Sequence, residues 1–290
     1  MSVESSKKSD RETALYVVAT PIGNLDDITF RAIETLRNVD VIACEDTRTS
    51  RVLLNNRNIS TPLISLHRFN ENKKTQTIIE YLQTGQSVAL ISDAGTPNIS
   101  DPGFRLVRSV METGFRVVPI PGPSSIITAL SVAGIDGSSF VFMGFSPKKD
   151  LALRSFFQKI DLEQRTVVFL EPARRIMKVI GVALELLPGR RLVLCREMTK
   201  KFEEIISGKV ESVYEQLAER DNIKGEFVVL IEHSKKVPAI DIEQLVLDLM
   251  QEGYSGKRLA SEAQMRYQVS KTAAYAKFLK IIKSKSETDS

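Results

Sequence analysis

Three short loops rich in glycine and proline carry the residues of this chain whose types and spacing could do chemistry. They are Ala19-Thr20-Pro21-Ile22-Gly23-Asn24-Leu25-Asp26-Asp27, Ser92-Asp93-Ala94-Gly95-Thr96-Pro97 running on to Asp101-Pro102-Gly103, and Pro121-Gly122-Pro123-Ser124-Ser125. Each follows an apolar run with strand character. In an open α/β sheet such loops lie at the carboxyl ends of strands, where glycine lets a ligand approach the main chain. The loops and the strand end between them supply Asp26, Asp27, Glu45, Asp46, Asp93 and Asp101, a lining suited to a cationic or amine-bearing ligand. No G-x-x-x-x-G-K-[ST] occurs, and none of the loops has the G-x-G-x-x-G spacing that seats a pyrophosphate, so a nucleotide-phosphate site is disfavoured. S-adenosyl-L-methionine, with a sulfonium, an amino group and no phosphate, fits the lining. Taken singly, each loop reads as well as an ordinary βα turn with aspartates capping a helix; three in register read as one ligand cleft.

The elements that must position these loops follow from the hydrophobic pattern. From Ala14 to about Gly122, apolar strand-like runs (LYVVA, VDVIACE, LISLH, SVALIS, RVVPI) alternate with amphipathic helical stretches, which predicts repeated βα units and a parallel-rich sheet. After the third loop come an apolar helix, SIITALSVAG, the strand FVFMGF and a polar edge, Ser146-Pro147-Lys148-Lys149. A second α/β block follows, with strands TVVFL, RLVLCREM, EEIIS and GEFVVLIEH. The short connection between RLVLCREM and EEIIS predicts a direct pair and a mixed sheet. The domains are expected at 14–123 and 124–236, behind a disordered arm at 1–13, with the ligand cleft between them. Pro238 opens a helical tail, 237–290, in which Gly253 to Ile282 reads as two short helices joined near Gln268-Val269-Ser270, with Ser270 as N-cap.

Composition bounds the rest. At 290 residues and 42% hydrophobic content the chain can bury a substantial core. No apolar run approaches the ~20 residues of a membrane span, and MSVESSKKSDRET lacks the apolar centre of a secretory signal. Cys44 and Cys195 lie far apart inside apolar runs, the pattern of reduced, buried thiols in a cytoplasmic protein. With His67 and His233 the only histidines, no zinc-ligand spacing exists and no metal is expected. Residues 251–290 hold eight Lys/Arg against four Asp/Glu, which accounts for the whole formal charge of +4. A basic tail on a neutral body suits either a polyanion partner or a merely soluble helical appendage.

The segments YVVATPIGNLDDITFRAIETLRNVDVIACEDTRTS, SLHRFNE, ALISDAGTPNISDPG and PIPGPSSIITALSVAG, with EPARRI and GEFVVLIE later, closely resemble the ribosomal RNA small subunit methyltransferase I family of the tetrapyrrole methylase superfamily. The resemblance runs from about Leu15 to His233 with the motifs in order. It implies a two-domain α/β methyltransferase using S-adenosyl-L-methionine, usually a homodimer. It also implies the substrate: the ribose 2′-hydroxyl of a cytidine in the decoding region of 16S ribosomal RNA, presented within the small ribosomal subunit. Carried over by motif, the cofactor contacts are Pro21 and Gly23 of the first loop, Asp93, Ala94, Gly95, Thr96 and Ile99 of the second, and Ser124 and Ser125 of the third. Glu171 stands where a methionine packs on the cofactor in tetrapyrrole enzymes. Gly95-Thr96-Pro97 replaces their Gly-Asp-Pro, which favours the ribosomal branch. Two other classes of answer stay open: a small-molecule methyltransferase acting on a tetrapyrrole-like acceptor, and a non-enzymatic ribosome-binding protein that keeps the fold. The basic tail speaks against the first, and the three intact loops against the second.

Methyl transfer is an in-line displacement on an electrophilic sulfonium, so alignment is most of the enzyme's task. A ribose hydroxyl is a poor nucleophile, and a carboxylate or imidazole within hydrogen-bond reach can take its proton. Glu45 is the favoured base among Asp26, Asp27, Asp46 and His67, because it ends an apolar strand where partial desolvation raises a carboxyl pKa. Its alternatives are an ion pair with Arg48 or Arg51, or a contact to the cofactor amine. Arg48, Arg51, His67 and Arg68 are the expected substrate contacts, joined by Arg174-Arg175 and Lys200-Lys201 from the second domain.

Overall fold

The computed structural model describes residues 12–233, 241–267 and 269–288, with side chains to residue 283. The arm expected at 1–13 lies almost wholly outside the described residues, as do Pro238, the boundary at 236/237 and Gln268. Contacts divide the chain into two compact units, Met1–Ser234 and Lys235–Ser290.

Five strands, β1 (Ala14–Val18), β2 (Val41–Cys44), β3 (Leu63–Ser65), β4 (Val88–Leu90) and β5 (Arg116–Ile120), form a wholly parallel sheet in the order β3-β2-β4-β1-β5. Every residue of the inner strands β2 and β4 is buried, because helices cover both faces. Period-two alternation along β1 sends Ala14 and Val18 into one cluster and Leu15 into the other. The first cluster takes Ala32 and Leu36 of α1 (Phe30–Asn38) and Leu53 and Leu54 of α2 (Thr47–Asn56). The second takes Ile78 and Leu82 of α3 (Glu71–Gln83) and Leu106 and Val110 of α4 (Phe104–Glu112). Side-chain caps fix where the first two helices begin: Thr29 Oγ1 accepts from the Ala32 N–H (3.1 Å) and Asp46 Oδ1 from the Arg48 N–H (2.8 Å). All five βα loops consequently open on one edge, the carboxyl edge.

The second sheet is mixed, in the order β6-β7-β10-β8-β9. Strands β6 (Phe140–Phe145) and β7 (Thr166–Pro172) are parallel, whereas β10 (Glu226–Ile231) runs antiparallel to β7 and β8 (Arg191–Arg196). The direct antiparallel pair expected from the short connection is β8 with β9 (Glu204–Lys209). One face is packed by α6 (Asp150–Leu162), α7 (Ala173–Leu186) and α8 (Val210–Ala218) around an edge-to-face trio, Phe156, Phe157 and Phe169. The other face takes α5 (Ser125–Val132), whose Ile126 and Ala129 pack on Val168, Val193 and Val228. The helix that follows the third loop thus packs on the second sheet.

β8 is shorter than the run RLVLCREM that predicts it. β8 ends at Arg196, and Glu197 and Thr199 take left-handed conformations (φ 46° and 66°), so Glu197-Met198 leave the sheet instead of extending it.

The second unit comprises α9 (Ile242–Gln251), α10 (Gly256–Tyr267) and α11 (Lys271–Thr288) around Leu245, Leu249, Leu259, Ala263 and Phe278. The helix pair expected in the tail is there, but α11 is longer than its apolar segment. Among the described residues no helix is long and apolar enough to cross a membrane.

Candidate functional site

The three loops are stitched to one another by hydrogen bonds that place their backbones side by side. The Thr20 N–H donates to Gly95 O (2.9 Å) and the Gly95 N–H returns to Thr20 O (3.0 Å), an isolated antiparallel bridge between the first and second loops. Buried Thr20 reinforces it through Oγ1 to Ser92 O (3.1 Å). Thr96 Oγ1 donates to Pro123 O (3.1 Å), which ties the second loop to the third. Gly95 has φ +78°, and a Cβ there would sit 3.3 Å from Ile22 Cγ2. Gly122 is constrained by space alone, since its Cβ would lie 3.1 Å from that of Ala19.

Below these loops, between the carboxyl edge of the first sheet and the open face of the second, lies a cleft of about 350 Å³. Glu45, Asp93 and Asp101 line it from the first sheet, with Ala94, Gly95, Thr96 and Ile99 of the second loop and Ser124 and Ser125 of the third. Burial raises the pKa of all three carboxyls. For Glu45, burial is the largest cause, followed by repulsion from Asp101 and Asp93, with Arg68 and His67 opposing. The Asp46 N–H donates to Asp93 Oδ1 (3.1 Å) and partly offsets the rise there. Among the described residues none of the three acids is held in an ion pair, so their charge is left for whatever occupies the cleft. A sulfonium with a neighbouring ammonium matches that set of acids, and exposed Ala94 with Ser124 and Ser125 offers polar main-chain and hydroxyl groups beside them; the residues present fit S-adenosyl-L-methionine.

Other expected site residues lie elsewhere. Pro21 is buried beneath the first loop, outside the cleft lining. Gly23 also lies outside it, and its missing side chain makes room for protein: a Cβ would stand 2.5 Å from Lys200 Cγ and 2.7 Å from Thr199 Oγ1. Asp26 turns to Arg57 (2.6 Å), and Asp46 is engaged by Arg48 (2.7 Å), which lowers the Asp46 pKa to about 2. Arg48 is therefore a partner of Asp46, not of Glu45, and its side chain is 90% exposed. Arg51 borders a separate surface hollow beside α2 and β3. Arg68 reaches the second loop, donating from Nη2 to Ser100 O (2.8 Å). His67 sits in a turn held by Asn70, which accepts from the His67 N–H (2.8 Å) and donates to Ser65 O (3.2 Å).

Glu171 borders the cleft between Leu170 and Pro172, yet its carboxylate is committed inward. It accepts from Ser146 Oγ and faces Arg175 Nη1 at 3.3 Å. Arg175 also donates to Pro147 O (2.6 Å) and Ser146 O (3.2 Å), so it locks the β6–α6 turn and presents no free charge at the surface. Burial raises the Glu171 pKa in spite of both partners.

The second-sheet wall includes residues that the sequence reading did not assign to the site: Phe145, Cys195, Glu197 and Met198. Lys200 of the same turn was expected only as an RNA contact; it lines the cleft and is paired with Glu197 (3.0 Å). The turn crosses to the first loop, where the Asn24 N–H donates to Thr199 Oγ1 (3.0 Å). Gly225, at φ +98°, is a sequence signal for it beside Gly23, since a Cβ there would strike the Glu197 side chain at 2.5 Å. Cys195 has its thiol pKa raised to about 11 by burial and is inert as a nucleophile.

A two-domain α/β fold with this cleft defines the tetrapyrrole methylase class, and the sequence model of the Tetrapyrrole (Corrin/Porphyrin) Methylases family matches residues 14–214. Solved structures with the same fold include a cobalt precorrin-4 methyltransferase (15% identical, 76% of this chain and 95% of that one, TM-score 0.56). Another is a Thermus thermophilus uroporphyrin-III C-methyltransferase complexed with S-adenyl homocysteine (18% identical, 75% and 96%, TM-score 0.52). Much closer in sequence is the ribosomal RNA small subunit methyltransferase I of Mesorhizobium japonicum, 43% identical over 281 residues, 96% of this chain and 95% of that one. The Haemophilus influenzae protein of the same name is 44% identical over 92% of this chain and 96% of its own length. The chain belongs to the ribosomal RNA small subunit methyltransferase I family.

Proposed function

We propose that this protein methylates ribosomal RNA of the small subunit with S-adenosyl-L-methionine as donor, acting in the cytoplasm on the ribose 2′-hydroxyl of a cytidine in the decoding region of 16S RNA. The observation that carries the reading is the trio Glu45, Asp93 and Asp101, none of them in an ion pair among the described residues, beneath three mutually bonded loops, in a chain whose close relatives carry the ribosomal name. The cofactor supplies an electrophilic methyl group on sulfur. Ala94, Ser124 and Ser125 would hold it through main chain and hydroxyls, with Gly95 and Thr96 shaping the loop through their bonds to Thr20 and Pro123. Asp93 and Asp101 would balance its positive charge, and Ile99 would supply an apolar contact. Glu45, ionised and raised in pKa, accepts the 2′-hydroxyl proton as the oxygen attacks. Arg68, anchored on Ser100 O, and Lys200, on the opposite wall, meet the RNA backbone at the mouth. Pro21 and Gly23 support the first loop from behind, and His67 helps fix the turn that carries Arg68.

The test is transfer of labelled methyl to small subunits from cells lacking this protein, compared with free 16S RNA, with the product mapped by its resistance to alkaline cleavage. Label on one decoding-region ribose is the expected outcome. Cofactor binding with no transfer to either substrate would overturn the reading in favour of a small-molecule acceptor.

A further inference from the structure

Along β6 the side chains alternate: Phe140 and Phe142 pack in the cluster on the cleft face, and Val141 and Met143 pack against the helix-covered core. Strict alternation would send Phe145 into the core with Val141 and Met143. It does not go there. Phe142 pairs with Val168, but Leu170 pairs with Phe145, so β6 carries one extra residue between Phe142 and Phe145. Gly144, at φ +69°, absorbs that residue in a conformation costly for any side chain. The bulge moves Phe145 to the face shared by Leu170, where it lines the cleft and the residue is 56% exposed. A bulge beside a site is a device for re-aiming a side chain, and here it turns a large apolar ring away from the helix-covered core and leaves it partly exposed in the cleft.

The geometry points to Phe145 as the platform on which the base of the acceptor nucleotide stacks while its ribose faces Glu45. The inference rests on the RNA reading above. The first-sheet wall combines Glu45, Asp93 and Asp101 with the aliphatic Ile22 and Ile99, and among the described lining residues it holds no aromatic ring on which a base could stack; on the opposite wall Phe145 supplies one. An unstacked pyrimidine drawn from a folded RNA loses its stacking neighbours, and an exposed aromatic ring returns one. Because a π-face tolerates any base, Phe145 contributes affinity and orientation, and the choice of cytidine falls to other contacts.

The experiment is a substitution series on the full-length protein: Phe145→Ala, Phe145→Leu and Phe145→Trp, assayed for kcat/KM of methyl transfer to unmodified small subunits and for cofactor affinity. Phe145→Ala is expected to lower kcat/KM about tenfold or more with cofactor affinity within twofold of wild type, Phe145→Trp to keep most of the activity, and Phe145→Leu to behave like alanine. The chain contains no tryptophan, so emission from Phe145→Trp reports that position alone. Quenching by S-adenosylhomocysteine would show the cofactor's adenine on the ring and overturn the platform, as would alanine or leucine activity within twofold of wild type. Wild-type protein that binds cofactor but transfers nothing to subunits would instead overturn the RNA reading, and the platform with it.

Discussion

Glu45, the proposed base, is a carboxyl whose proton affinity is pushed up by burial and then by repulsion from Asp101 and Asp93, and among the described residues no ion pair holds it. A base must be ionised to act, so a carboxyl raised above its usual range is stronger at neutral pH but is lost to protonation sooner as pH falls. Glu45→Gln should lower kcat for methyl transfer by about 10²- to 10⁴-fold with cofactor affinity little changed, as single-turnover assays and calorimetry would read. Equal loss of cofactor binding would mean that Glu45 holds the donor. After burial, Asp101 is the largest repulsive cause of the shift, so Asp101→Asn should lower the Glu45 pKa. The acid limb of the kcat profile at saturating cofactor should then move to lower pH. The sign for stability follows from the same shift. A carboxyl whose folded pKa is raised favours the fold at low pH and loses that contribution as pH rises through the folded value. The trio therefore costs stability at neutral pH, and Asp101→Asn should raise the melting temperature at pH 7.5 more than at pH 4.

Among the elements, the turn between β8 and β9 closes the cleft, and Gly23 sets how closely it can approach. A methyl group at position 23 would overlap Lys200 Cγ and Thr199 Oγ1 and press on Met198 O at 3.0 Å, so the turn must retreat. Gly23→Ala is expected to destabilise the protein by about 1–3 kcal/mol and to weaken cofactor binding, both visible in a thermal shift titrated with S-adenosylhomocysteine. A variant with wild-type affinity would show the turn to be independent of the site. The same turn marks where sequence reading stops. Apolar runs ending in glycine and proline made the parallel sheet, its carboxyl-edge loops and the β8–β9 pair legible, since periodicity and turn chemistry are local properties. Glu197 and Thr199 in left-handed conformations are not local in that sense. Nothing in REMTK separates them from a strand that simply continues, and their geometry is imposed by Gly225 and the first loop. The acids show the same limit: six were visible as candidates, but only the folded chain distinguishes Glu45, Asp93 and Asp101 from Asp26, drawn off by Arg57, and Asp46, held by Arg48. Phe145 escaped notice because a one-residue bulge reverses the face that alternation assigns.

For the whole molecule, the proposed division of labour follows the division into units. Every residue that lines the cleft lies within Met1–Ser234, and α9, α10 and α11 form their own apolar core in Lys235–Ser290. The basic excess lies at 251–290, so the unit without the cleft carries the charge that a polyanion would meet. Ending the chain at Ser234 should therefore leave cofactor affinity within about twofold, while transfer to small subunits falls and loses salt sensitivity. Each phosphate contact removed flattens the slope of log K against log salt by about 0.7–0.9. Measuring transfer across 50–250 mM salt for both lengths separates this from simple instability, which would lower activity at every salt concentration without changing the slope. An unchanged slope would place the RNA contacts wholly on the cleft-bearing unit, at Arg68, Lys200 and their neighbours.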